Sequence, residues 1–290
     1  MDEAGMDFLT LDGMNATTLE AIARRAIALA GQWDSRTMPR VLAGQRVGII
    51  TDLPGWRNPT ALALGATEMG AVCVPVGVSL EGGEAIEDLA GYLDNWFDIL
   101  AVRTPSLRKL RRLAGFLEAP VLNLRTNDNH PIEALGDLSF ALARRGSWEG
   151  LQVAVVAPAG NILQSWIEAA AVLPICVTQI SHPSFYAVTS AGGLKQCADL
   201  APLKEADLIV TDCWSQGASP AQQAHLAGLQ ITAGVLARCR KDAMFIPCPP
   251  VTRGQEVSAE AMADAKCVSR AAKAFLLHVQ NAVLEHMLKV

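Results

Sequence analysis

Seven cysteines are scattered along the 290 residues (Cys73, Cys176, Cys197, Cys213, Cys239, Cys248, Cys267), and no two form a C-x-x-C pair. That spacing argues against a zinc ribbon or a disulfide framework and fits buried thiols in a reducing cytoplasm. There is no Lys/Arg block, and 24 basic against 29 acidic residues leave a net charge of −5. A nucleic-acid partner is therefore not expected. No uninterrupted apolar run approaches the roughly 18 residues of a membrane span. The opening MDEAGMDFLT is acidic and lacks an apolar core, so it does not read as a signal peptide. Short repeats and low-complexity tracts are also missing. What is present is apolar: 51% of the residues are hydrophobic, enough for a large core in one or two domains.

Short apolar runs alternate with segments of helical length. Residues 17–30 place Leu19, Ile22, Ala23, Ala26, Ile27 and Ala30 on one face, with Thr17 or Thr18 as the expected cap. The runs 46–50, 71–76, 98–102 and 120–124 follow, separated by helical stretches near 59–69, 84–94 and 105–117. His130-Pro131 opens a long helix to about Arg145. After the polar break RGSWEG a second series begins, with runs at 151–158, 174–180, 206–212 and 243–248 and helical stretches near 161–172 and 220–238. An amphipathic helix over about 268–288 ends the pattern, with Phe275, Val279, Ala282, Val283 and Met287 on one face. Buried strands separated by helices predict an α/β fold of two similar-sized domains, each a mostly parallel sheet flanked by helices. The expected division is 1–130 and 131–267, with 268–290 returning to the first domain.

In such sheets, ligands bind beyond the carboxyl ends of the strands. The polar residues at those positions are Arg57, Arg103, His130, Asn161, Asp212 and the segment from Cys248 to Arg253. GWRNPT, at 55–60, has the makings of an anion loop: a glycine, a cation, an amide suited to helix capping in Asn58, and a proline suited to the first helical turn in Pro59.

In order along the chain, six segments resemble motifs of the aspartate/ornithine carbamoyltransferase family. GWRNPTALALGATEMGA resembles its S-x-R-T-R-x-S phosphate loop and following helix. SLEGGEAIEDLAGYLDNWFDILAVR resembles the segment that ends in a ligand arginine, and VLNLRTNDNHPIEALGDL the H-P-x-Q-x-L-x-D segment. GNILQSWIEAAA, ADLIVTDCWSQG and DAMFIPCPPVTRGQEV are similar to the G-N-N, T-D-V-W-x-S-M-G and H-C-L-P-x-x-R-G segments. HVQNAV, near the end, is similar to the family's H-T-x-K-A-V.

The resemblance implies a carbamoyl-phosphate-binding first domain and an acceptor-binding second domain. It also implies a homotrimer with active sites at subunit interfaces, and neither organic cofactor nor metal. Residue by residue, it implies that Arg57, Asn58, Arg103, His130 and Glu133 bind carbamoyl phosphate. His130 and Arg103 would be catalytic, donating to the carbonyl oxygen. Asn161, Asp212, Ser215, Cys248 and Arg253 would bind the acceptor. Asp212 and Asn161 match the ornithine type, so a diamino acid or another amine fits better than aspartate.

The departures are specific. Gly55 replaces the motif's serine, Asn58 its threonine and Pro59 its second arginine. Glu133 stands for a glutamine, and Pro247 and Pro249 for a histidine and a leucine. The 79–83 loop carries Glu81 and no lysine. The expected activity is transfer of a carbamoyl group from carbamoyl phosphate to an amine, giving a ureido product. The alternatives are a non-catalytic paralogue that binds or scaffolds a partner, and a transferase using a less charged donor.

Overall fold

Every strand pairing among the described residues is parallel. The structure is a computed structural model and describes residues 6–188, 194–214 and 219–289. Two compact units result, residues 1–144 with 274–290, and residues 145–273.

The first unit runs α1 (Ala16–Asp34), β1 (Arg46–Thr51), α2 (Arg57–Glu68), β2 (Val72–Val76), α3 (Ile86–Asp94), β3 (Ile99–Arg103), α4 (Leu107–Ala114), β4 (Val121–Arg125) and α5 (Pro131–Arg145). Its sheet has the order β2-β1-β3-β4. The second unit runs β5 (Leu151–Val156), α6 (Asn161–Val172), β6 (Ile175–Ile180), β7 (Leu194–Cys197), β8 (Leu208–Thr211), α7 (Pro220–Ala227), α8 (Ala233–Leu236), β9 (Met244–Pro247) and α9 (Ala259–Met262). Its sheet has the order β7-β6-β5-β8-β9. Helix α10 (Ser269–Leu288) returns to the first unit through its residues from Ala274 onward.

The central strands β3 and β8 are apolar because both faces are covered, and every residue of each is buried, as is every residue of β9 at the edge of the second sheet. Edge strand β7 escaped the hydrophobic pattern because its LKQC sequence is half exposed. The helical stretch expected over 220–238 is two helices. Thr232 restarts the chain, its Oγ1 accepting from Val235 N at 3.2 Å. Helix α1 is capped by Asn15, whose Oδ1 accepts from Thr18 N at 2.8 Å; Thr17 and Thr18 lie inside the helix.

The two units divide at 144/145 and 273/274 rather than at 130/131 and 267/268. The physical reason is the burial of α5, whose residues 131–142 are all covered. Its Gly136 lies against the backbone of Phe275 and Leu276, and Phe140 packs edge-on against Phe275 at 5.8 Å. Helix α2 also meets α10 closely. A Cβ at Gly65 would come within 2.6 Å of Asn281 Oδ1, so a larger residue there must displace the buried Asn281 amide.

Two stability predictions arise from this packing. Asp207, 4% exposed, accepts from Gln152 N at 2.9 Å and pairs with Arg145 at 2.9 Å and Arg240 at 3.1 Å. Both arginines are partly solvated, so the Coulomb gain is modest, but the backbone donor is not. Asp207→Ala should cost about 2–3 kcal/mol, read as a lower urea midpoint at constant slope. The second concerns His278, which is buried beside Phe275 and Trp33. Burial pushes its pKa below the usual imidazole range, against the opposing pull of Asp34. As pH falls through about 6.5 the unfolded chain protonates before the folded one, so stability is lost on acidification below that point. His286, also lowered by burial, contributes in the same direction. Melting temperature should fall between pH 7.5 and 5.5, and His278→Phe should flatten that slope; an unchanged slope would refute the assignment.

Candidate active site

The order β2-β1-β3-β4 places the topological switch point between β1 and β3, since the chain leaves β1 towards one side for β2 and towards the other for β3. In the second sheet the switch lies between β5 and β8. A crevice opens at such points beyond the strand ends. Gly55 and Arg57 follow β1, Arg103 ends β3, Asn161 follows β5 and Asp212 follows β8. These five residues therefore lie at the carboxyl ends of the strands that flank the two switch points.

Arg103 is the centre of the first cluster. It is 6% exposed, and it donates from Nε to Leu53 O at 3.2 Å and from Nη2 to Pro54 O at 2.7 Å. The loop after β1 folds over it at Gly55, which adopts φ +139°. A Cβ there would stand 2.5 Å from Arg103 Nη2. Burial pushes the Arg103 pKa down to about 10, repulsion from Arg125 adds to this, and Glu133 opposes both. At neutral pH the guanidinium remains charged.

Asn58 does not cap α2. The residue before the helix is Trp56, which makes no side-chain capping bond. Asn58 turns inward instead, 3% exposed; its Nδ2 donates to Leu124 O at 3.0 Å and lies 3.1 Å from His130 Nε2. The amide's second hydrogen is directed at His130 Nε2. Gln280 donates to Asn58 O at 3.2 Å from α10. Glu133 is buried one turn along α5, its Oε2 3.8 Å from His130 Nε2.

The structure thus joins Arg103, Glu133, His130 and Asn58. Arg57 opens α2 but is exposed, its guanidinium stacked 5.1 Å over Trp56, itself 67% exposed. Glu81 was expected to add negative charge. It is paired, with Lys109 Nζ 2.6 Å from its Oε2.

Several organising residues carried no signal in the sequence. Asp52 Oδ2 accepts from Leu80 N and from Thr104 Oγ1, both at 3.0 Å, tying the ends of β1 and β3 to the 79–83 loop. Asn123, Thr126 and Asn129 form a buried knot before His130. Asn129 Oδ1 accepts from Asn123 Nδ2 at 2.8 Å and from Thr126 Oγ1 at 2.9 Å. Arg125, the last residue of β4, was also overlooked; its identity was visible, but its register with Arg103 was not.

In the second unit, Asn161 is the first residue of α6 and is 8% exposed. Asp212 Oδ1 accepts from Cys213 N at 2.8 Å. Burial, then the Asp212 charge, push the Cys213 thiol up to about 11, so it is not a thiolate at neutral pH. Cys248 is buried after β9. Arg253 is exposed on the 252–257 loop, where buried Glu256 accepts from Thr252 N at 2.6 Å. Ser215 lies outside the described residues. Asn161, Asp212 and Cys248 follow the neighbouring strands β5, β8 and β9, which brings them to one edge of the sheet.

The architecture is thus that of two α/β units with parallel sheets, one with a buried arginine at its switch point and the other with an amide and an acid at the carboxyl ends of its strands. The carbamoyl-P binding domain of aspartate/ornithine carbamoyltransferase matches residues 6–142, and its Asp/Orn binding domain matches residues 149–287. An ornithine carbamoyltransferase of Nitrosococcus oceani is 30% identical, covering 97% of both chains. One from Acinetobacter baumannii strain AYE is 31% identical, over 97% of this chain and 96% of that one. The crystal structure of ornithine carbamoyltransferase from Burkholderia thailandensis superposes with a TM-score of 0.90 at 26% identity, over 97% and 98% of the two chains. The chain belongs to the aspartate/ornithine carbamoyltransferase family. Among the described residues, no helix is long and apolar enough to cross a membrane.

Proposed function

We propose that this chain transfers the carbamoyl group of carbamoyl phosphate to an amine of an amino acid or related acceptor, giving a ureido product and phosphate. The observation that carries this reading is Arg103: a charged guanidinium, held by two loop carbonyls at the switch point of the first sheet, beside a second arginine. The amine attacks the carbamoyl carbon, and negative charge grows on the carbonyl oxygen. Arg103 donates to that oxygen. Such stabilisation is strongest in a partly dry, preorganised site. The new C–N bond is retained, the bond between the carbamoyl carbon and the bridging oxygen breaks, phosphate leaves with that oxygen, and the proton lost by the amine goes to the phosphate. Arg57 and the first amides of α2 hold the departing phosphate.

His130 was expected to donate to the carbonyl oxygen. In this arrangement its Nε2 is committed to Asn58, so we assign it to positioning the loop and Arg103 to the oxyanion. Glu133, close enough to act on both, sets the orientation of the carbamoyl amide. Asn161 and Asp212 take the acceptor's polar groups, and Cys248, Ser215 and Arg253 are assigned to the acceptor on the motif resemblance. Pairing of Glu81 with Lys109 favours a fully charged donor over the less charged alternative.

The homotrimer belongs to the same proposal. Edge strand β2 leaves Val72 58% and Val74 40% exposed, and Leu64 on α2 is 48% exposed, an apolar face suited to another copy of the chain.

The test is to mix the protein with carbamoyl phosphate and a panel of amines, and to follow phosphate release and ureido product. Turnover that Arg57→Ala abolishes supports the reading. No turnover with any amine, together with no thermal shift from carbamoyl phosphate or phosphate, refutes it and leaves a non-catalytic role.

A further inference from the structure

Strands β3 and β4 pair regularly through Val102↔Asn123 and then slip by one residue, so that Arg103 faces Arg125 and not Leu124. An irregularity of this kind bends a strand and re-aims the side chain that follows it. The extra residue is anchored: Leu124 is fully buried, and its carbonyl accepts from Asn58 Nδ2 at 3.0 Å. Beyond it the ladder resumes, with Thr104 N donating to Arg125 O at 3.1 Å. Thr51, Arg103 and Arg125 are thereby level at the carboxyl ends of β1, β3 and β4. Cross-strand partners in a sheet lie roughly 5 Å apart, with side chains on the same face.

Two arginines side by side repel, and this repulsion bears on Arg103. Arg103 is partly compensated by the Leu53 and Pro54 carbonyls and by Glu133. Arg125 is half-buried, and its side chain makes no hydrogen bond or ion pair among the described residues. A cation that is half withdrawn from water, next to a like charge and without a partner, is a cost to the fold unless an anion joins it. The loop after β1 supplies one arginine, Arg57, and has proline at residue 59.

We propose that Arg125 is the second guanidinium of the donor-anion site, binding the phosphate group from the end of β4 in the place left by Pro59. This rests on the carbamoyl-phosphate reading and names a residue that completes it. Arg125 is a binding residue, so its loss weakens affinity for the dianion.

The test uses the intact protein, inorganic phosphate as the probe and Arg125→Met and Arg125→Lys as variants. Arg125 makes no internal bond, so the methionine variant is expected to fold; its melting temperature without ligand checks this, and the lysine variant retains the charge. Arg125→Met should raise the phosphate concentration giving a half-maximal thermal shift by about 10- to 100-fold, the range for one lost charge-assisted hydrogen bond or pair of them. Arg125→Lys should recover part of the loss, and the KM for carbamoyl phosphate should follow the same order. A phosphate response in Arg125→Met equal to that of the parent overturns the inference. If Arg57→Ala loses the response in that same experiment, the anion-loop reading survives without Arg125. If the parent itself responds to neither phosphate nor carbamoyl phosphate, both are overturned.

Discussion

Arg103→Met should lower kcat for carbamoyl transfer by roughly 10²–10³-fold, the usual cost of removing one preorganised donor from an oxyanion site. Methionine fills much of the same channel beneath Gly55, so packing is largely retained. What disappears is the charge and the fork of N–H groups. The carbonyls of Leu53 and Pro54 lose their donors, but both residues lie in a loop that water reaches. Because the interaction strengthens only as charge develops on the carbonyl oxygen, kcat should fall further than KM rises. Arg103→Lys should restore little, since a lysine is a single point charge and cannot meet two loop carbonyls and a substrate oxygen at once. Steady-state phosphate release beside a melting curve is the measurement. A kcat within threefold of the parent would remove Arg103 from the chemistry.

Gly55→Ser should be equally damaging, although serine is the residue of the family's phosphate loop. Gly55 has φ +139°, a conformation L residues rarely adopt. A Cβ there would also lie 2.5 Å from Arg103 Nη2 and 2.9 Å from its Cζ. Backbone strain of this kind costs on the order of 1–3 kcal/mol. The guanidinium must also move, and a displacement of about 1 Å at a reacting group is worth ~10²-fold in rate. The expected result is a lower melting temperature together with a lower kcat. A variant as stable and as active as the parent would show that the loop relaxes and that Arg103 is not seated by it. Gly55 and Arg103 are therefore expected to behave as one unit, since a Cβ at Gly55 would fall on the guanidinium that donates to the Leu53 and Pro54 carbonyls.

Much of the fold is legible in the sequence. Val47, Ile49 and Ile50, or Ile99 to Val102, read as strands because a parallel sheet covered on both faces needs apolar residues at nearly every position. Edge strand β7 and the break between α7 and α8 were not legible, since a half-exposed strand and a short capped helix leave no periodic trace. In the site, Arg57, Arg103, His130, Asn161 and Asp212 stood out because they follow apolar runs, and strand ends in such folds face ligands. Their surroundings did not stand out. Asn58 looked like a helix cap from its neighbours, yet it turns inward because Leu124 O and His130 Nε2, far along the chain, offer it partners in the interior. Glu81 looked like a free acid until Lys109, 28 residues on, was found beside it.

The residue order fixed the strand-and-helix alternation, the two-sheet architecture and the family, because those depend on local burial patterns and on motifs contiguous in the chain. The pairing of Arg103 with Arg125, the seating of Arg103 under Gly55 and the commitment of His130 to Asn58 depend on register. A one-residue slip between β3 and β4 decides which side chain stands beside Arg103. Such a slip costs little in local propensity, and it is settled only when the neighbouring strands and the Asn58 amide are in place.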